Sequence, residues 1–402
     1  YKRQNLHYKL SDEASNGEEA FAPSSETQTQ ALAFIEERHF GDVLIQLGAR
    51  IENATIDAPG WQRAELELHE DELHEEGEET ADEETVGEHE EHEGEAQLLS
   101  FNESFTPLSL SFGAVWEFSP GYNIGFSLAR AERAPSAAEL LSFGPHIGTD
   151  AYEIGAMYEL HEEDEGVESD EVDHEEHHEL HFDVGAGKPE LEASNNIDLS
   201  FRKFEGNVGI IANAFYNRVD NYYYQQATGL FAEAGHAHED EGVDAEEEDH
   251  SSDLPVYQYA VGDATLTGFE LQGIWQTNER FELSAFADKV NAKLENGGYL
   301  PRMPPMRLGA ALNFNYDRFQ AEFGVTRYTK QNRLAQFETQ TDGYTLVNAR
   351  VDYTLPLSAG ELVFFVKGEN LGDEFAQVHT SFLKDEAPRA GRNVSVGVRG
   401  RF

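Results

Sequence analysis

The 402-residue sequence contains no cysteine. Without thiols there can be no disulfide, no thiolate metal site and no cysteine nucleophile. No run of 18 apolar residues occurs either, which excludes a transmembrane helix. We expect no signal peptide at the start of this sequence, because Tyr1 begins in the middle of a strand-like pattern. We therefore interpret residue 1 as a truncation point.

Lysine and arginine are absent from three stretches, Glu65–Glu95, Glu159–His181 and Glu233–Asp253, which we call the acid/histidine stretches. They hold half of the 78 acidic residues and 12 of the 16 histidines. Elsewhere the 28 basic residues face only the other half of the acidic ones, so the net charge of −50 is mostly local. A strongly acidic surface repels phosphate, which argues against nucleic-acid binding.

The rest of the chain shows a pattern with a period of two residues. Apolar residues alternate with small or polar ones from Leu108 to Phe118, and again from Tyr122 to Leu128 after the turn Ser119-Pro120-Gly121. This is typical of a β-hairpin with one apolar face. The unit recurs, and we predict thirteen strands near residues 27–39, 42–54, 105–118, 121–132, 195–204, 207–222, 257–276, 280–293, 305–317, 319–330, 343–355, 361–370 and 391–402.

Connections between the predicted strands alternate in length, with long loops between hairpins and short turns within them. The short turns are Phe40-Gly41, Ser119–Gly121, Glu205-Gly206, Thr277–Glu279, Asp317-Arg318 and Pro356–Gly360. This asymmetry predicts an all-β, transmembrane antiparallel β-barrel with its short turns in the periplasm. A soluble β-sandwich also alternates, but strands of about ten residues and a polar second face favour the barrel. A closed barrel needs an even number of strands, so thirteen means a miscount or strands upstream of Tyr1.

Each strand crosses the membrane once, so counting strands from any short periplasmic turn predicts that all three acid/histidine stretches lie outside the cell. Residues 1–402 are thus predicted to form one partial barrel, with long extracellular loops at 55–104, 133–194 and 223–256. Carboxylate and imidazole are ligands for zinc and similar divalent metals. The candidate ligands in these loops are His69, His74, His89, His92, His161, His174, His177, His178, His181, His236, His238 and His250.

The sharpest candidate is the run from His174 to His181. On a helix, its four histidines would share one face, because they are spaced i, i+3, i+4 and i+7. The alternative is that the loops are solvated segments that only keep the surface anionic. Residues 174–178 also fit the metalloprotease pattern H-E-x-x-H, but an acidic exterior loop supplies no rigid, dry pocket. We predict that the chain is not an enzyme and needs no catalytic cofactor.

Three segments resemble the TonB-dependent outer-membrane receptors. Residues 125–155 (GFSLARAERAPSAAELLSFGPHIGTDAYEIG) are similar to a run in the barrel of that family. Residues 188–195 (KPELEASN) look like another, with Ala193 where the family usually has glutamate. The closing segment has Glu369-Asn370-Leu371, then PRAGR at 388–392, and ends on the aromatic Phe402. The His- and acid-rich loops, with Gly144-Pro145-His146 and the segment 379–388, look most like the zinc-uptake receptors of the ZnuD type.

The resemblance implies an active importer in the bacterial outer membrane. Such receptors have a 22-strand barrel and an N-terminal plug, and this chain resembles the C-terminal part of the barrel, without the plug and the first strands. The implied partners are the TonB–ExbB–ExbD complex, acting through the plug, and the outer-membrane lipid and lipopolysaccharide around a monomer. In ZnuD-like receptors a more specific site lies at the barrel mouth, so His146 and His379 become further candidate metal ligands.

These observations predict a receptor that captures and imports a divalent metal, zinc first, as its transported ligand. One alternative is a receptor for a metal chelate, such as a siderophore, or for haem. Another is a surface barrel without transport activity that sequesters cations or mediates adhesion. Two further groups of residues are expected to have structural roles and not to bind a ligand. Arg130 and Arg133 are expected to form lumen-lining salt bridges with Glu132 and Glu139, and Tyr222-Tyr223-Tyr224 to form part of the outer aromatic girdle.

Overall fold

The computed structural model describes residues 2–13, 21–62, 66, 68–70, 98–164, 178–232 and 253–401, and they form an all-β structure. Its strands are β1 (Lys2–Glu13), β2 (Ser25–Phe40), β3 (Val43–Gln62), β4 (Leu68–Glu70), β5 (Leu98–Phe105), β6 (Leu108–Ser119), β7 (Tyr122–Arg133), β8 (Phe143–His146), β9 (Ala151–Ile154), β10 (Tyr158–Asp164), β11 (His178–Val184), β12 (Glu192–Lys203), β13 (Val208–Ala232), β14 (Leu254–Gln276), β15 (Phe281–Leu294), β16 (Arg307–Tyr316), β17 (Phe319–Tyr328), β18 (Tyr344–Leu357), β19 (Gly360–Glu369) and β20 (Asn393–Arg401). One short helix, α1, spans Ala137–Leu141. Within these segments no helix has the length and apolar character needed to cross a membrane.

The long strands form an antiparallel meander that follows chain order. β1 pairs with β2, β2 with β3, β3 with β6, β6 with β7, β7 with β12, and each strand from β12 to β19 with its successor. β5 continues the line of β6 along β3 in the same register. The two are separated at Pro107, which has no amide proton to donate. Among the described residues β1 and β20 are the edges of the sheet and are not paired with each other.

With β5 and β6 counted as one, the described meander has fourteen strands, so the prediction of thirteen is wrong by one. The unpredicted strand is β1. Its alternation rests on only three apolar residues, Leu6, Tyr8 and Leu10, among polar neighbours, and three residues are too few to distinguish a strand from a loop.

The two faces of the sheet differ in polarity. Leu128 on β7 lies opposite Ile197 on β12, and Phe126 lies opposite Leu199; all four side chains are well exposed. The residues between them are small or polar, as in the pair Ser127 and Asp198. In water such an exposed apolar band would promote aggregation, whereas on a membrane barrel it faces lipid. The apolar face is therefore the outward face, and the polar face lines the interior.

Short turns join the strands at one end of the sheet. Gly41 and Gly121 occupy turns there with φ of +60° and +75°, a region that residues with a Cβ rarely adopt. A Cβ on Gly121 would also clash with the side chain of Glu205 in the neighbouring turn. The long connections all lie at the opposite end, which we call the mouth, and this arrangement agrees with the predicted order of hairpins.

The mouth contains most of the fully buried side chains. One apolar cluster joins α1 to the tops of β3, β5 and β13 through Leu140, Ile56, Phe105 and Tyr223. A second cluster joins the hairpins β8–β9 and β10–β11 to the tops of β13 and β14, and includes Ile154, Tyr158, Phe182, Leu230 and Val256. The mouth is therefore a packed layer built on the ends of the strands.

Two predicted loops are shorter in the structure than the sequence pattern indicates, because the strands on either side are longer. β13 continues to Ala232 and β14 begins at Leu254, whereas the predicted loop is 223–256. β3 reaches Gln62 and β5 begins at Leu98, inside the predicted loop 55–104. These strands extend because their ends gain partners in the mouth: β13 pairs with β4, and β14 pairs with β9 in parallel.

Candidate metal site

The structure describes four of the fourteen candidate histidines with their side chains: His146, His161, His181 and His379. His69 and His178 have a described backbone position only, in β4 and β11. The other candidates lie outside the described residues; they are His74, His89, His92, His174, His177, His236, His238 and His250.

His161 and His181 are brought together by the β10–β11 hairpin. They are direct partners in the antiparallel register, with ring centroids 5.9 Å apart and an interplanar angle of 28°. Two imidazoles bound to one tetrahedral zinc have centroids about 5 to 6 Å apart, given Zn–N bonds of about 2.0–2.1 Å. The two rings are thus close to the spacing that a shared metal ion requires.

The neighbouring pair in the hairpin carries carboxylates. Glu159 lies opposite Asp183, two residues from the histidines on each strand, so all four side chains are on the same face. Asp183 Oδ2 is 3.2 Å from His181 Nε2. On the other face Tyr158 and Phe182 are almost fully buried in the second apolar cluster, and this packing fixes which face is exposed.

The helical arrangement predicted for the histidine run is wrong in the part of the run that the structure describes. Residues from His178 to His181 belong to β11, not to a helix. In a strand, positions three apart alternate between the two faces, so the spacing of this run does not bring its histidines to one face as it would in a helix. These residues form a strand because Leu180 and Phe182 both pack into the second apolar cluster. They are two positions apart, and a strand places such residues on one face.

His146 lies at the end of β8, beside a buried carboxylate. Its Nδ1 atom is 2.6 Å from Glu153 Oε1 on the paired strand β9. Glu153 is only 3% exposed and also accepts a hydrogen bond from the Thr149 hydroxyl. The ring of His146 stacks on Phe21, with centroids 4.5 Å apart. This leaves Nε2 of His146 as the atom that could face a ligand.

His379 is enclosed, with 2% of its surface exposed. Its Nδ1 atom is 2.7 Å from the Thr341 hydroxyl, and its Nε2 atom is 3.2 Å from Glu338 Oε1. Glu338 also accepts hydrogen bonds from the backbone amides of Arg302 and Ala335. These contacts tie together the three loops after β15, β17 and β19. In this position His379 holds loops together, and its ring has no free face for an ion.

Arg302 lies near the carboxylates of Glu338 and Glu153, and Tyr259 lies near those of Glu153 and Glu139. The Arg302 guanidinium donates to the Gln225 carbonyl and stands 3.9 Å from the ring centroid of Phe382. Burial lowers the pKa of Arg302 from its ordinary value, although the charges of Glu338 and Glu153 oppose this. Burial, together with the carboxylates of Glu153 and Glu139, raises the pKa of Tyr259 to about 12. Burial is thus the main cause of both pKa shifts, and the nearby carboxylates act in the direction expected of negative charges.

Among the residues that the structure describes, no three His, Asp or Glu side chains stand close enough together to hold one metal ion. The β10–β11 hairpin supplies two imidazoles, with a carboxylate next to one of them. A change in side-chain rotamers on an exposed hairpin face would be enough to bring a third ligand to an ion between the rings. Such a site would take a borderline metal with imidazole and oxygen ligands.

The two arginines near the mouth are paired with acids, as predicted. Arg133 bonds both carboxylate oxygens of Glu139, at 2.8 and 2.9 Å, and also Glu192 at 2.6 Å. Arg130 pairs with Glu132 at 3.0 Å. The predicted lumen-lining position is wrong for Arg130, because it lies opposite Leu110 in the register and so belongs to the outward face.

The predicted aromatic girdle at Tyr222-Tyr223-Tyr224 is also wrong. Tyr223 is 5% exposed in the cluster around α1, and its hydroxyl donates to the Glu190 carbonyl. Tyr222 and Tyr224 pack on the other side with Leu300 and Met303. Both faces of the upper β13–β14 ribbon are therefore covered by protein, which the local sequence does not reveal.

Sequence reasoning missed the acidic and hydroxyl partners of His146 and His379. Glu153 and Glu338 stand in segments without an acidic bias, and each meets its histidine only through tertiary pairing. For Glu153 a signal was present, because Gly144-Pro145-His146 and Ala151–Ile154 are two short strand-like segments around a Gly-Thr-Asp turn. For Glu338 and Thr341 no local signal exists.

A family model described as TonB dependent receptor-like, beta-barrel matches residues 1–371. Among solved structures, the copper transporter OprC superposes with a TM-score of 0.64 at 14% identity, over 93% of this chain and 48% of that one. The FrpB iron transporter from Neisseria meningitidis gives 0.55 at 12% identity, over 97% and 46% of the two chains. The unliganded ferric citrate transporter FecA gives 0.55 at 14% identity, over 94% and 45%. The chain thus spans about half the length of each structure.

Proposed function

The chain belongs to the TonB-dependent receptor β-barrel family of the bacterial outer membrane, and we propose that it serves the capture and import of a divalent transition metal, zinc first. Members of this family are transporters and not enzymes. They take up metals, iron and siderophores and interact with the TonB complex. The choice of zinc, and the residues that bind it, are our proposal.

The observation that carries the proposal is the pair His161 and His181 on the exposed face of the β10–β11 hairpin. Two imidazoles at this spacing form half of a tetrahedral zinc site, and Glu159 and Asp183 lie beside them on the same face. An acidic loop that only keeps the surface hydrated and anionic needs carboxylates. It does not need two imidazoles at directly paired positions of a hairpin.

The acid/histidine stretches would act together with this pair. Many weak carboxylate and imidazole sites raise the local concentration of cations at the mouth, and the negative field steers cations towards it. Neither step requires a rigid site. Imidazole and carboxylate ligands bind several divalent metals, with affinity rising towards copper, so the metal available to the cell would decide between zinc and its neighbours in that series.

His146 and His379 have different roles in the proposal. His146, held by Glu153 at Nδ1, presents Nε2 and is a second candidate ligand. An oriented imidazole with a carboxylate behind it is a common arrangement in metal sites. His379 would contribute indirectly, by keeping three loops in place around the mouth.

Import would require the remainder of a family receptor. We propose that the full-length protein works as a monomer surrounded by outer-membrane lipid and lipopolysaccharide. In this proposal, a plug domain links it to the TonB–ExbB–ExbD complex. A receptor for a metal chelate or haem is the alternative within transport. Iron and ferric citrate transporters are among the proteins with similar structures. Growth of a deletion strain rescued by a siderophore but not by free zinc would favour that alternative.

The direct test is zinc titration calorimetry on the full-length protein and on the variant His161→Ala/His181→Ala. We expect the variant to lose about one equivalent of the tighter zinc binding. The matched control is His7→Ala/His39→Ala, which removes two histidines of β1 and β2 and should bind zinc like the parent protein. Equal zinc binding by all three proteins would refute the assignment to the hairpin.

A further inference from the structure

Arg302 is a positive charge that the fold holds inside the mouth. It lies in the loop after β15, and its backbone has a φ of +53°, a conformation that residues with a Cβ rarely adopt. The carboxylate of Glu338 supports this conformation by accepting a hydrogen bond from the Arg302 amide at 2.7 Å. The side chain is half-buried. Both the backbone conformation and the burial of the charge cost free energy, so Arg302 is a candidate for a functional role.

The guanidinium of Arg302 is held by neutral groups. Its central carbon stands 3.9 Å from the ring centroid of Phe382 and 5.5 Å from that of Tyr257. These two rings meet edge to face, with centroids 5.1 Å apart. The guanidinium also donates a hydrogen bond to the Gln225 carbonyl at 2.7 Å. Two aromatic faces and a carbonyl fix the position of the cation without removing its charge.

Two carboxylates lie close to this charge. Glu338 binds the amide of Arg302 itself. Glu153 is the partner of Tyr257 in the parallel register of β9 and β14, and Tyr257 is one of the two rings that enclose the guanidinium. The charges of both carboxylates favour the ionised guanidinium and oppose the effect of burial on its pKa. Glu153 also holds the ring of the candidate ligand His146, so Arg302 and His146 are influenced by the same carboxylate.

We propose that Arg302 limits the affinity of the inner mouth for a metal ion, so that an ion bound at His146 can be released. A dication at Nε2 of His146 and the guanidinium of Arg302 repel each other, and both are attracted to the Glu153 carboxylate. The metal therefore competes with a fixed cation for the same negative charge. This inference rests on the proposed function, and it assigns a role to a residue that is not itself a ligand.

A weakened inner site suits a protein whose outer segments attract cations. The chain has a net charge of −50, and half of its acidic residues are in the acid/histidine stretches. An ion that moves inward from such segments needs sites that bind it and also let it leave. Without Arg302, the carboxylate behind His146 would make the imidazole a stronger ligand, because it raises the basicity of the ring. The positive charge of Arg302 offsets that effect.

The test is a double-mutant cycle on the full-length protein, with zinc as the probe. Arg302→Gln and His146→Ala are made singly and together in the His161→Ala/His181→Ala background. Calorimetry at pH 7.5 measures zinc affinity, and transfer of zinc to a chelator measures its release. We expect Arg302→Gln to bind zinc at least about fivefold more tightly at the site that depends on His146, and to release it more slowly. In the double variant this effect should be absent.

Three further variants separate charge from structure. Arg302→Met is neutral but still packs on the two rings, so it should bind zinc as tightly as Arg302→Gln. Arg302→Lys keeps the charge and should bind zinc like its parent; if it resembled the neutral variants instead, the role of Arg302 would be structural and the proposal would be overturned. Arg389→Gln removes the same charge from a cation beside the Tyr328 ring and should leave zinc affinity unchanged.

Two other results would also overturn the proposal. One is zinc binding by both neutral variants that is no tighter than in their parent. The other is the absence of any zinc binding that depends on His146. Neither result affects the zinc binding assigned to the hairpin, which is measured in the protein that retains His161 and His181. A hairpin that bound no zinc would contradict the proposed function, and it would leave the comparison at His146 as it stands. Zinc binding by the hairpin in Arg302→Gln would also show that the mouth of this variant is folded.

Discussion

Single residues in the mouth show how histidine serves two purposes on one surface. His161 and His181 face outward from a hairpin, where their rings remain accessible. His379 is buried between Thr341 and Glu338, and joins loops that are distant in sequence. The same residue type is thus a candidate ligand in one place and a structural contact in another. Burial and partners separate the two cases, whereas the sequence gives both as a histidine in a loop.

Glu338 gives the clearest prediction at this scale. Burial would raise the pKa of Glu338, but the adjacent His379 and the amides of Ala335 and Arg302 outweigh it, so the net pKa lies below its ordinary value. A lowered pKa means that the ionised carboxylate stabilises the folded loops. That stabilisation is complete above the ordinary carboxyl pKa of about 4.3 and is lost as the pH falls through the lowered value.

We therefore expect Glu338→Gln to weaken the loop contacts at neutral pH and to remove their dependence on pH below the ordinary carboxyl range. The loss of charged hydrogen bonds, about 1–3 kcal/mol, corresponds to roughly 10- to 100-fold faster exchange of the Ala335 and Arg302 amides. Hydrogen exchange followed by mass spectrometry measures this directly. Glu361→Gln, at an exposed pair with Arg401, is the control and should leave those amides protected.

At the scale of elements, the alternation of apolar residues with small or polar ones was sufficient to predict most of the barrel strands and their short turns. The pattern is reliable where one face meets lipid, as in β6 and β7, because every second residue must be apolar. It fails where packing above the membrane decides the structure. The sequence of the β10–β11 hairpin suggests a helix because of its histidine spacing. The residues that anchor it as a strand are Tyr158, Leu180 and Phe182, and they are few among many charged residues. Their burial partners come from β13 and β14 and are invisible to a local pattern.

The junction of α1 with β9 provides a test of the mouth as a packed unit. Gly155 follows β9, and a Cβ there would overlap the carbonyl group of Leu140 in α1. We expect Gly155→Ala to separate the two elements and to cost about 1–3 kcal/mol of local stability. The Met157 amide, which donates to the Leu140 carbonyl at 3.1 Å, should exchange faster by roughly tenfold or more.

Gly187→Ala is the matched control for this substitution. A Cβ on Gly187 would meet no atom within 4 Å, so its effect on the Met157 amide should be negligible. If Gly155→Ala left that amide as protected as in the parent, α1 and β9 would not form a single packed unit.

At the scale of the whole molecule, charge is distributed unevenly. The acid/histidine stretches hold half of the acidic residues, whereas the cavity at Thr265, Lys293 and Arg333 has two cations and no acid in its lining. Composition alone predicted the first feature, because the residues are contiguous. It could not predict the second, because Thr265, Lys293 and Arg333 meet only through the register of β14 and β15 and a loop after β17.

Removal of the three stretches tests the proposed zinc capture by the whole protein. We expect the full-length protein to bind several equivalents of zinc at pH 7.5, and most of them to disappear when Glu65–Glu95, Glu159–His181 and Glu233–Asp253 are deleted. In the undeleted protein, binding should decline below about pH 6.5, since protonated imidazole is no ligand. Calorimetry at pH 7.5 and 5 measures both effects. A titration that stayed constant over this range would contradict ligation by histidine.

The way in which the described segments flank the three stretches has a consequence for evolution. Gln62 pairs with Leu98, Asp164 with His178, and Ala232 with Leu254, so the chain leaves and re-enters the fold at neighbouring positions each time. When a loop is closed in this way, the chain-entropy cost of closure rises by only about 0.6 kcal/mol each time the loop doubles in length. Insertions and deletions at these three points are therefore almost neutral for the barrel. A lineage could enlarge or shorten its metal-binding capacity by repeat expansion, without any compensating change elsewhere in the gene.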